Sequence, residues 1–494
     1  MKDAPEPAPS PSRLFLSVFP SIMLPMFLAV VDQTIVATAL PAIAASLGSV
    51  ERVSWVVVAY LLSATVAAPV YGQLRDVWGG KRMMFVALGI FLLASLACAL
   101  STSVEMLAFA RVLQGLGGGG LMTLSQALIG EAVPPRERAR YQGYLAGVAI
   151  SSSTFGPVVG GLLTQQFGWR SIFLVNLPLA LAAVLLTLRL EQRPGRAQPW
   201  TFDALGLVLF VAFIAPTLLA LEQARQMSAA TLSGFLTLAA IGMAALVLLV
   251  VRERRAPFPL LPIELLRQPT IWRSDALAAC HGATLVSLIT FIPIYLRVVR
   301  GTSAAETGLL LLPLMFGVGG GSMATGRIVS RTGRTAIYPS LGLIVVVAGL
   351  VALGLLAGDL GPRQLALLLF ATGLFMGTVM GVVQVTVQNA AGVASLGSAA
   401  ASVQLARSIG AAAGTALVGT VLFATLSLSD PDTARLFATL VQRGTEALDA
   451  VPAERRAAAL AEIASAFRSA FFTMAAFSAI GLALAWSIPT RQLS

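Results

Sequence analysis

Residues 72–82 read Gly72-Gln73-Leu74-Arg75-Asp76-Val77-Trp78-Gly79-Gly80-Lys81-Arg82. Residues 326–334 read Gly326-Arg327-Ile328-Val329-Ser330-Arg331-Thr332-Gly333-Arg334. Each is a short, basic, glycine-bounded loop with a long apolar run on either side. Crossing a bilayer takes about 20 mostly apolar residues. Outward from the first loop, such runs lie near 14–38, 54–73, 83–101, 105–129, 140–164 and 171–189. Around the second they lie near 274–297, 305–325, 337–357, 363–386, 401–426 and 468–488, and two more, 203–222 and 231–251, fall between the groups. In both groups the loop follows the second run. The pattern predicts an all-α integral membrane protein of 14 transmembrane helices: a parallel repeat of six, with two helices inserted between the copies.

Composition agrees. Hydrophobic residues make up 57% of the 494-residue chain and charged residues 11%, against roughly 25% charged in a soluble domain. A soluble fold of this composition has too little polar surface to clothe itself, which excludes a cytosolic enzyme, a disulfide scaffold and a disordered protein. Lys and Arg number 33 against 22 Asp and Glu, a net charge of +11. The excess is not a nucleic-acid patch. With the N-terminus inside, Lys2, Arg13, Arg75, Lys81, Arg82, Arg136, Arg138, Arg140, Arg193, Arg196, Arg252, Arg254, Arg255 and Arg491 all fall on inner loops or tails. That is the positive-inside bias, and it puts both termini in the cytoplasm. The Pro-rich start, residues 1–12, reads as a cytoplasmic tail with no signal-peptide pattern. Cys98 and Cys280 sit in apolar runs and read as small buried hydrophobes.

Asp32 is the sharpest chemical signal, a carboxylate in an otherwise apolar span. An ionised carboxylate is expensive there, so the group is suited to bind and release a proton as its surroundings change. Arg111, about two turns into the fourth span, cannot shed its charge and needs a carboxylate or carbonyl partner; Asp32 is the natural candidate. In the loop, Gly72 and Gly79 permit the turn, and Asp76 with Lys81 and Arg82 reads either as a charge-paired gating latch or as a solvated inner loop; the second copy, with Arg331 and Arg334, favours the latch. The run Gly115-Leu116-Gly117-Gly118-Gly119-Gly120 contains a GxGxxG, but it follows no strand and lies within an apolar helix, so it reads as close helix contact. No Walker loop and no metal-ligand cluster appears, which leaves an ion gradient as the energy source and no cofactor. His281, the one histidine, reads as a hydrogen-bonded core residue, and Asp275 as an interfacial partner of Arg273.

Five stretches, in order along nearly the whole chain, resemble the major facilitator superfamily, and within it the fourteen-helix drug:proton antiporters of the EmrB/QacA type. Val31-Asp32-Gln33-Thr34-Ile35-Val36-Ala37-Thr38-Ala39-Leu40-Pro41 is similar to that family's LDxTIVNVALP. Gly72 to Arg82 resembles its GxLaDrxGrk loop, and Arg111-Val112-Leu113-Gln114-Gly115-Leu116-Gly117 its RxxQGxG. Gly143, Gly156-Pro157 and Gly160-Gly161 resemble the glycine motif of antiporters, and Trp169 to Pro178 the entry to the sixth span. Val77, Gly80 and Ser152 depart from the pattern: two basic residues and one glycine of the family stand elsewhere or are missing.

The resemblance implies proton-coupled export of lipophilic, often cationic, drugs by alternating access, with Asp32 and Arg111 as the coupling pair. Gln114, Asn176, Tyr295 and Gln384 are the candidates for the substrate cavity. The implied partners are protons, a small lipophilic substrate and the bilayer of a bacterial inner membrane. A periplasmic adaptor and outer-membrane channel belong to the picture only in a Gram-negative cell. The domain reading is a tail, 1–12; a six-helix bundle, 13–190; a two-helix linker with flanking loops, 191–270; and a second six-helix bundle, 271–494, with an outer loop at 427–467. The rival readings are an exporter of one metabolite, siderophore or lipid and, from another class, an intramembrane enzyme or receptor, for which no nucleophile–base pair speaks.

Overall fold

The computed structural model describes residues 19–48, 52–191, 201–224, 229–261, 263–443, 451–490 and 492. The expected tail 1–12 lies outside these residues, as do Lys2, Arg13, Arg193, Arg196 and Arg491 of the charge pattern. The described chain is helical: α1 (Phe19–Leu47), α2 (Trp55–Trp78), α3 (Gly80–Ala99), α4 (Val104–Ala132), α5 (Pro135–Phe167), the short α6 (Ser171–Leu174), α7 (Asn176–Thr187), α8 (Ala204–Ala224), α9 (Ala229–Glu253), the short α10 (Ile263–Leu266), α11 (Pro269–Val298), α12 (Ala304–Thr332), α13 (Ile337–Leu356), α14 (Pro362–Ala391), α15 (Leu396–Ser429), α16 (Pro431–Arg443) and α17 (Ala453–Ser487). Among the described residues no strand forms.

Twelve of these helices are long and apolar enough to cross a membrane, two short of the fourteen expected. The other two expected spans have physical reasons to fall below the mark. In α4 the glycine run, Arg111, Gln114, Gln126 and Glu131 dilute the apolar character. The expected sixth span is broken at Val175 into α6 and α7 and is shorter than the rest. Large apolar side chains lie bare on the outside, among them Leu93, Phe109, Phe167, Phe316 and Leu367. Water would not tolerate that surface, whereas lipid does.

Local chemistry sets the helix ends. Gly79 separates α2 from α3 at φ +89°, and Gly333 ends α12 at φ +69° in the left-handed region. Both are the second glycine of their loop, and side chains are strained there. Ser303 and Glu306 form a reciprocal capping box at the start of α12. Prolines inside α1, α2, α5, α8, α11 and α12 are of the kind membrane helices accommodate.

The repeat is visible in the helix contacts. In the first copy α2 and α3 both pack on α4, and α1 packs on α4 and α7, as α3 does on α7. The same five pairings recur as α12 and α13 on α14, α11 on α14 and α17, and α13 on α17.

The chain divides into two compact units. One takes in the helices up to Pro134, then Ser151–Thr201 and Val393–Ala401; the other takes Pro135–Ile150, Phe202–Gly392 and the chain from Ser402 onward. Two helices, α5 and α15, are therefore shared, and the pair α8–α9, which pack on each other, goes with the second unit. In the second unit α16 lays Phe437 and Leu440 onto a buried cluster with Tyr295, Phe467 and Phe471, while Asp432 stays outside and pairs with Arg435 and Arg455. Between α9 and α11, Leu260 is buried and Ile263–Leu266 forms the short α10.

Candidate functional site

In the first unit four of the sequence candidates meet. Asp32 on α1, Arg111 and Gln114 on α4, and Asn176 at the start of α7 are each 0% exposed. Arg111 Nη1 donates to Asp32 Oδ2 at 2.5 Å. Asp32 Oδ1 accepts from Gln114 Nε2 at 2.8 Å and from Asn176 Nδ2 at 2.7 Å. Arg111 also donates through Nη1 to Gln114 Oε1 at 2.7 Å and through Nε to the Val56 carbonyl at 3.1 Å. Three donors on one carboxylate, one of them charged, is the arrangement that makes a buried ion pair tolerable. Gln114 and Asn176, the cavity candidates of the first unit, both hold Asp32.

Several of the residues around this core escaped the sequence reading. Tyr60 on α2 stacks under the guanidinium, 4.2 Å from its Cζ, and donates its hydroxyl to the Ala29 carbonyl at 3.0 Å. Ser95 Oγ accepts from Gln114 Nε2 at 2.9 Å, and the Cys98 thiol donates to Gln114 Oε1 at 3.3 Å. An apolar wall of Val31, Ile35, Val36, Leu107, Trp169, Ile172 and Phe173 closes the cluster off. The glycine run of α4 makes the approach possible. A Cβ at Gly115 would meet Ser63 Oγ at 2.1 Å, at Gly118 the Tyr60 hydroxyl at 2.2 Å, and at Gly119 the Ala64 carbonyl at 2.2 Å. Its role is close helix contact, as its setting implied.

The loop candidates lie at the α2–α3 junction. Asp76 Oδ1 accepts from the Gly397 amide at 2.9 Å, and Oδ2 from the Ser398 amide at 3.0 Å and its hydroxyl at 2.9 Å. These amides open α15, so Asp76 satisfies the unpaired N–H groups of that helix and meets its positive dipole end. Gly72 lets the backbones touch: a Cβ there would lie 2.7 Å from the Gly397 carbonyl. Arg75 bridges Asp76 at 2.8 Å and Glu131 at 2.5 Å. Lys81 does not join Asp76; it donates to the Leu188 and Leu190 carbonyls at 2.8 and 2.6 Å. Arg82 is exposed. In the second loop, Ser330 stands where Asp76 stands in the first, and its hydroxyl turns back to the Arg327 carbonyl. Arg331 and Arg334 are exposed. Gly326 repeats the backbone approach of Gly72, with a Cβ there 2.4 Å from the Ala139 carbonyl of α5.

The antiporter-type glycines separate. Gly143 belongs to the second unit, where a Cβ would meet the Ser322 carbonyl at 2.6 Å. Gly156 and Gly160 belong to the first and face Thr34 and Ile35 of α1, while Gly161 faces open space. Pro157 lies within α5. In the second unit Tyr295, a cavity candidate, is buried edge-on against Phe467 and Phe471 at 5.4 and 5.6 Å. Gln384 is buried on α14, and its Nε2 finds no acceptor. Arg273 and Asp275 do not pair: Arg273 donates to the Ser487 carbonyl, and Asp275 accepts from Ser402 at 3.4 Å. Both ring nitrogens of His281 lack partners, contrary to the expected hydrogen-bonded role.

Comparison with known proteins adds the following. The family model of the Major Facilitator Superfamily matches residues 22–415. An uncharacterised MFS-type transporter of Mycobacterium tuberculosis is 35% identical over 407 residues, covering 81% of this chain and 58% of that protein. The chain thus spans less than two thirds of the length of that relative. The multidrug transporter MdtP of Bacillus subtilis is 30% identical, over 81% of this chain and 74% of that protein. The efflux pump dotC of the fungus Dothistroma septosporum is 29% identical, over 96% and 84%. Among solved structures, the human organic anion transporter MFSD10 aligns with a TM-score of 0.65 at 14% identity, covering 97% of this chain and 100% of that one. The proton:xylose symporter XylE aligns at 0.63 and 13%, covering 98% of each. At such identities the structural likeness speaks for the fold.

Proposed function

The chain belongs to the Major Facilitator Superfamily, and from that premise we propose that it is a proton-coupled exporter of lipophilic, drug-like compounds, working by alternating access. It is a multi-pass membrane protein and not an enzyme. The relatives named for multidrug transport and efflux support the choice of cargo. The observation that carries the coupling is the fully buried carboxylate of Asp32, held by Arg111, Gln114 and Asn176.

Protonating Asp32 removes the negative half of the pair. The Arg111 donor then loses its acceptor, and the three helices α1, α4 and α7 lose the link that ties them. A proton entering this site therefore changes which arrangement of the first unit is lowest in free energy, which is the requirement for coupling. One charge crossing 100 mV is worth about 2.3 kcal/mol, which a gradient contributes toward such a step. Asp76 acts as the latch of our reading by holding the first turn of α15.

The finer assignments belong to the same proposal. We take α4 and the α6–α7 pair to cross the bilayer too, giving fourteen spans in the order six, two, six, the arrangement of the EmrB/QacA type, with both termini in the cytoplasm of a bacterial cell. The adaptor and outer-membrane channel form no part of it.

The test is export of a lipophilic dye from proteoliposomes under an imposed pH gradient, wild type beside Asp32→Asn. Gradient-driven movement that is lost in the variant supports the assignment. Movement that persists unchanged in the variant removes Asp32 from the coupling role, and no movement of several unrelated dyes by folded wild type removes the multidrug reading.

A further inference from the structure

The second unit holds a charge that its own residues leave unanswered. Arg407, a third of the way along α15, donates through Nη1 to the thioether of Met380 at 3.2 Å and through Nη2 to the side-chain carbonyl of Gln404. A thioether is a weak acceptor and an amide carbonyl a neutral one. Among the described residues no carboxylate comes within ion-pairing distance of Arg407. Arg111 in the first unit, by contrast, has Asp32. A guanidinium within a membrane helix is costly to leave without an anion, and it keeps its charge.

The surroundings of Arg407 carry spare hydrogen-bonding capacity as well. Helices α11 and α15 touch backbone to backbone: a Cβ at Gly282 would lie 2.5 Å from the Arg407 carbonyl and 3.1 Å from its Cγ, and one at Gly410 would lie 2.1 Å from the Ala279 carbonyl. His281, beside Gly282, lies within electrostatic reach of Arg407 and is 3% exposed with both ring nitrogens unpartnered. One turn beyond Met380, on the same face of α14, Gln384 is also 3% exposed, with its Nε2 unpartnered. Buried polar groups are normally satisfied, so these vacant donors ask for a partner. Asp275, the carboxylate on α11, is not that partner: it lies about 120° around the helix from His281 and is engaged by Ser402. Arg407 itself is half-buried and so remains reachable.

We infer that Arg407, Gln384 and His281 form an anion-recognition site in the second unit, which takes the carboxylate of a lipophilic organic anion as cargo. Arg407 on α15, Gln384 one turn from the Met380 it touches on α14, and His281 within its electrostatic reach on α11 offer a guanidinium fork, an amide N–H and an imidazole N–H, and an acceptor-only carboxylate suits each of them. A cationic head group would meet an uncompensated like charge there. The inference rests on the transporter reading above and narrows its substrate class.

The test is equilibrium binding to the full chain purified in dodecyl maltoside, with no gradient and no added anionic lipid. The probes are 1-pyrenebutyrate and its uncharged amide, read by fluorescence anisotropy. Wild type is expected to hold the acid at least about tenfold tighter than the amide, the scale of a charge-assisted hydrogen bond. Arg407→Gln is expected to erase that preference; Arg407→Lys retains part of it; Gln384→Leu weakens the acid severalfold. Should Arg407→Gln not fold, the lysine and Gln384 variants carry the comparison. The assignment is overturned if wild type does not distinguish acid from amide, or if the Arg407 variants keep full preference. It is equally overturned if dihexanoyl phosphatidylglycerol, and not pyrenebutyrate, binds in an Arg407-dependent way, since the anion is then a lipid head group. An intact preference in protein that fails to export any dye under a gradient would count against the export reading alone.

Discussion

Removing the buried ion pair one side at a time should cost far more than removing it whole. Arg111→Met takes away the 2.5 Å donor to Asp32, the bond to Gln114 and the bond to the Val56 carbonyl. It leaves a carboxylate at 0% exposure with only two neutral donors, Gln114 and Asn176. Asp32→Leu leaves the guanidinium with two carbonyl acceptors and the ring of Tyr60. Breaking a buried pair from one side costs about 3–5 kcal/mol, because the remaining group loses its counter-charge where water cannot replace it. The double variant strands no charge, so its loss should fall short of the two single losses combined by about 3 kcal/mol or more. Equilibrium unfolding in dodecyl maltoside–SDS mixed micelles measures all four proteins. Additive losses, within about 0.5 kcal/mol, would refute the view that Asp32 and Arg111 are energetically one unit.

Three further outcomes are expected. Gly119→Ala forces a methyl to within 2.2 Å of the Ala64 carbonyl and should cost about 1–3 kcal/mol in the same unfolding assay, whereas Gly161→Ala faces open space and should stay within about 0.5 kcal/mol of wild type. Asp76→Asn removes the charge and half the acceptor capacity at the first turn of α15, so the Gly397 and Ser398 amides should exchange hydrogen about 5- to 30-fold faster, with amides in the middle of α15 unchanged. At the loop between α15 and α16, the Thr433 hydroxyl, with the Asp432 and Thr433 amides, holds the Asp430 carboxyl below the usual carboxylate range. A depressed folded value means that stability is present above the unfolded value and is lost as pH falls through the folded one. Fraying of the first turn of α16 below the ordinary carboxylate range, seen by hydrogen exchange and absent in Asp430→Asn, checks the sign.

Much of the candidate site was legible because an acid and a base inside apolar runs are rare and expensive. Asp32 and Arg111 announce themselves by composition alone, and the structure brings them together. What stayed hidden was direction. Gln114 and Asn176 are polar residues on apolar helices, and which way each points depends on helix rotation, which spacing within one helix does not fix. The same blindness gave His281 hydrogen-bond partners it does not have, and assigned Lys81 to Asp76 when the Leu188 and Leu190 carbonyls claim it. The glycine run of α4 was read as close helix contact because it lacked a preceding strand, and the contacts of Gly115, Gly118 and Gly119 bear that out. The span count was harder, because the residues that build the site in α4 are the ones that lower its apolar character.

The two loops that opened the sequence differ by one side chain that matters. Asp76 meets the start of α15 while almost fully shielded from solvent, whereas the second loop has Ser330 at that position and leaves Arg331 and Arg334 in the open. Dissolved ions screen exposed charges over about 10 Å at 0.1 M and reach shielded ones far less. The Asp76 contact is thus insulated from the ionic strength of its surroundings, while Arg331 and Arg334 offer bare positive charge to whatever electrolyte or anionic surface they meet. In the equivalent loops of the repeat, then, one carboxylate is indifferent to salt and two guanidinium groups feel it.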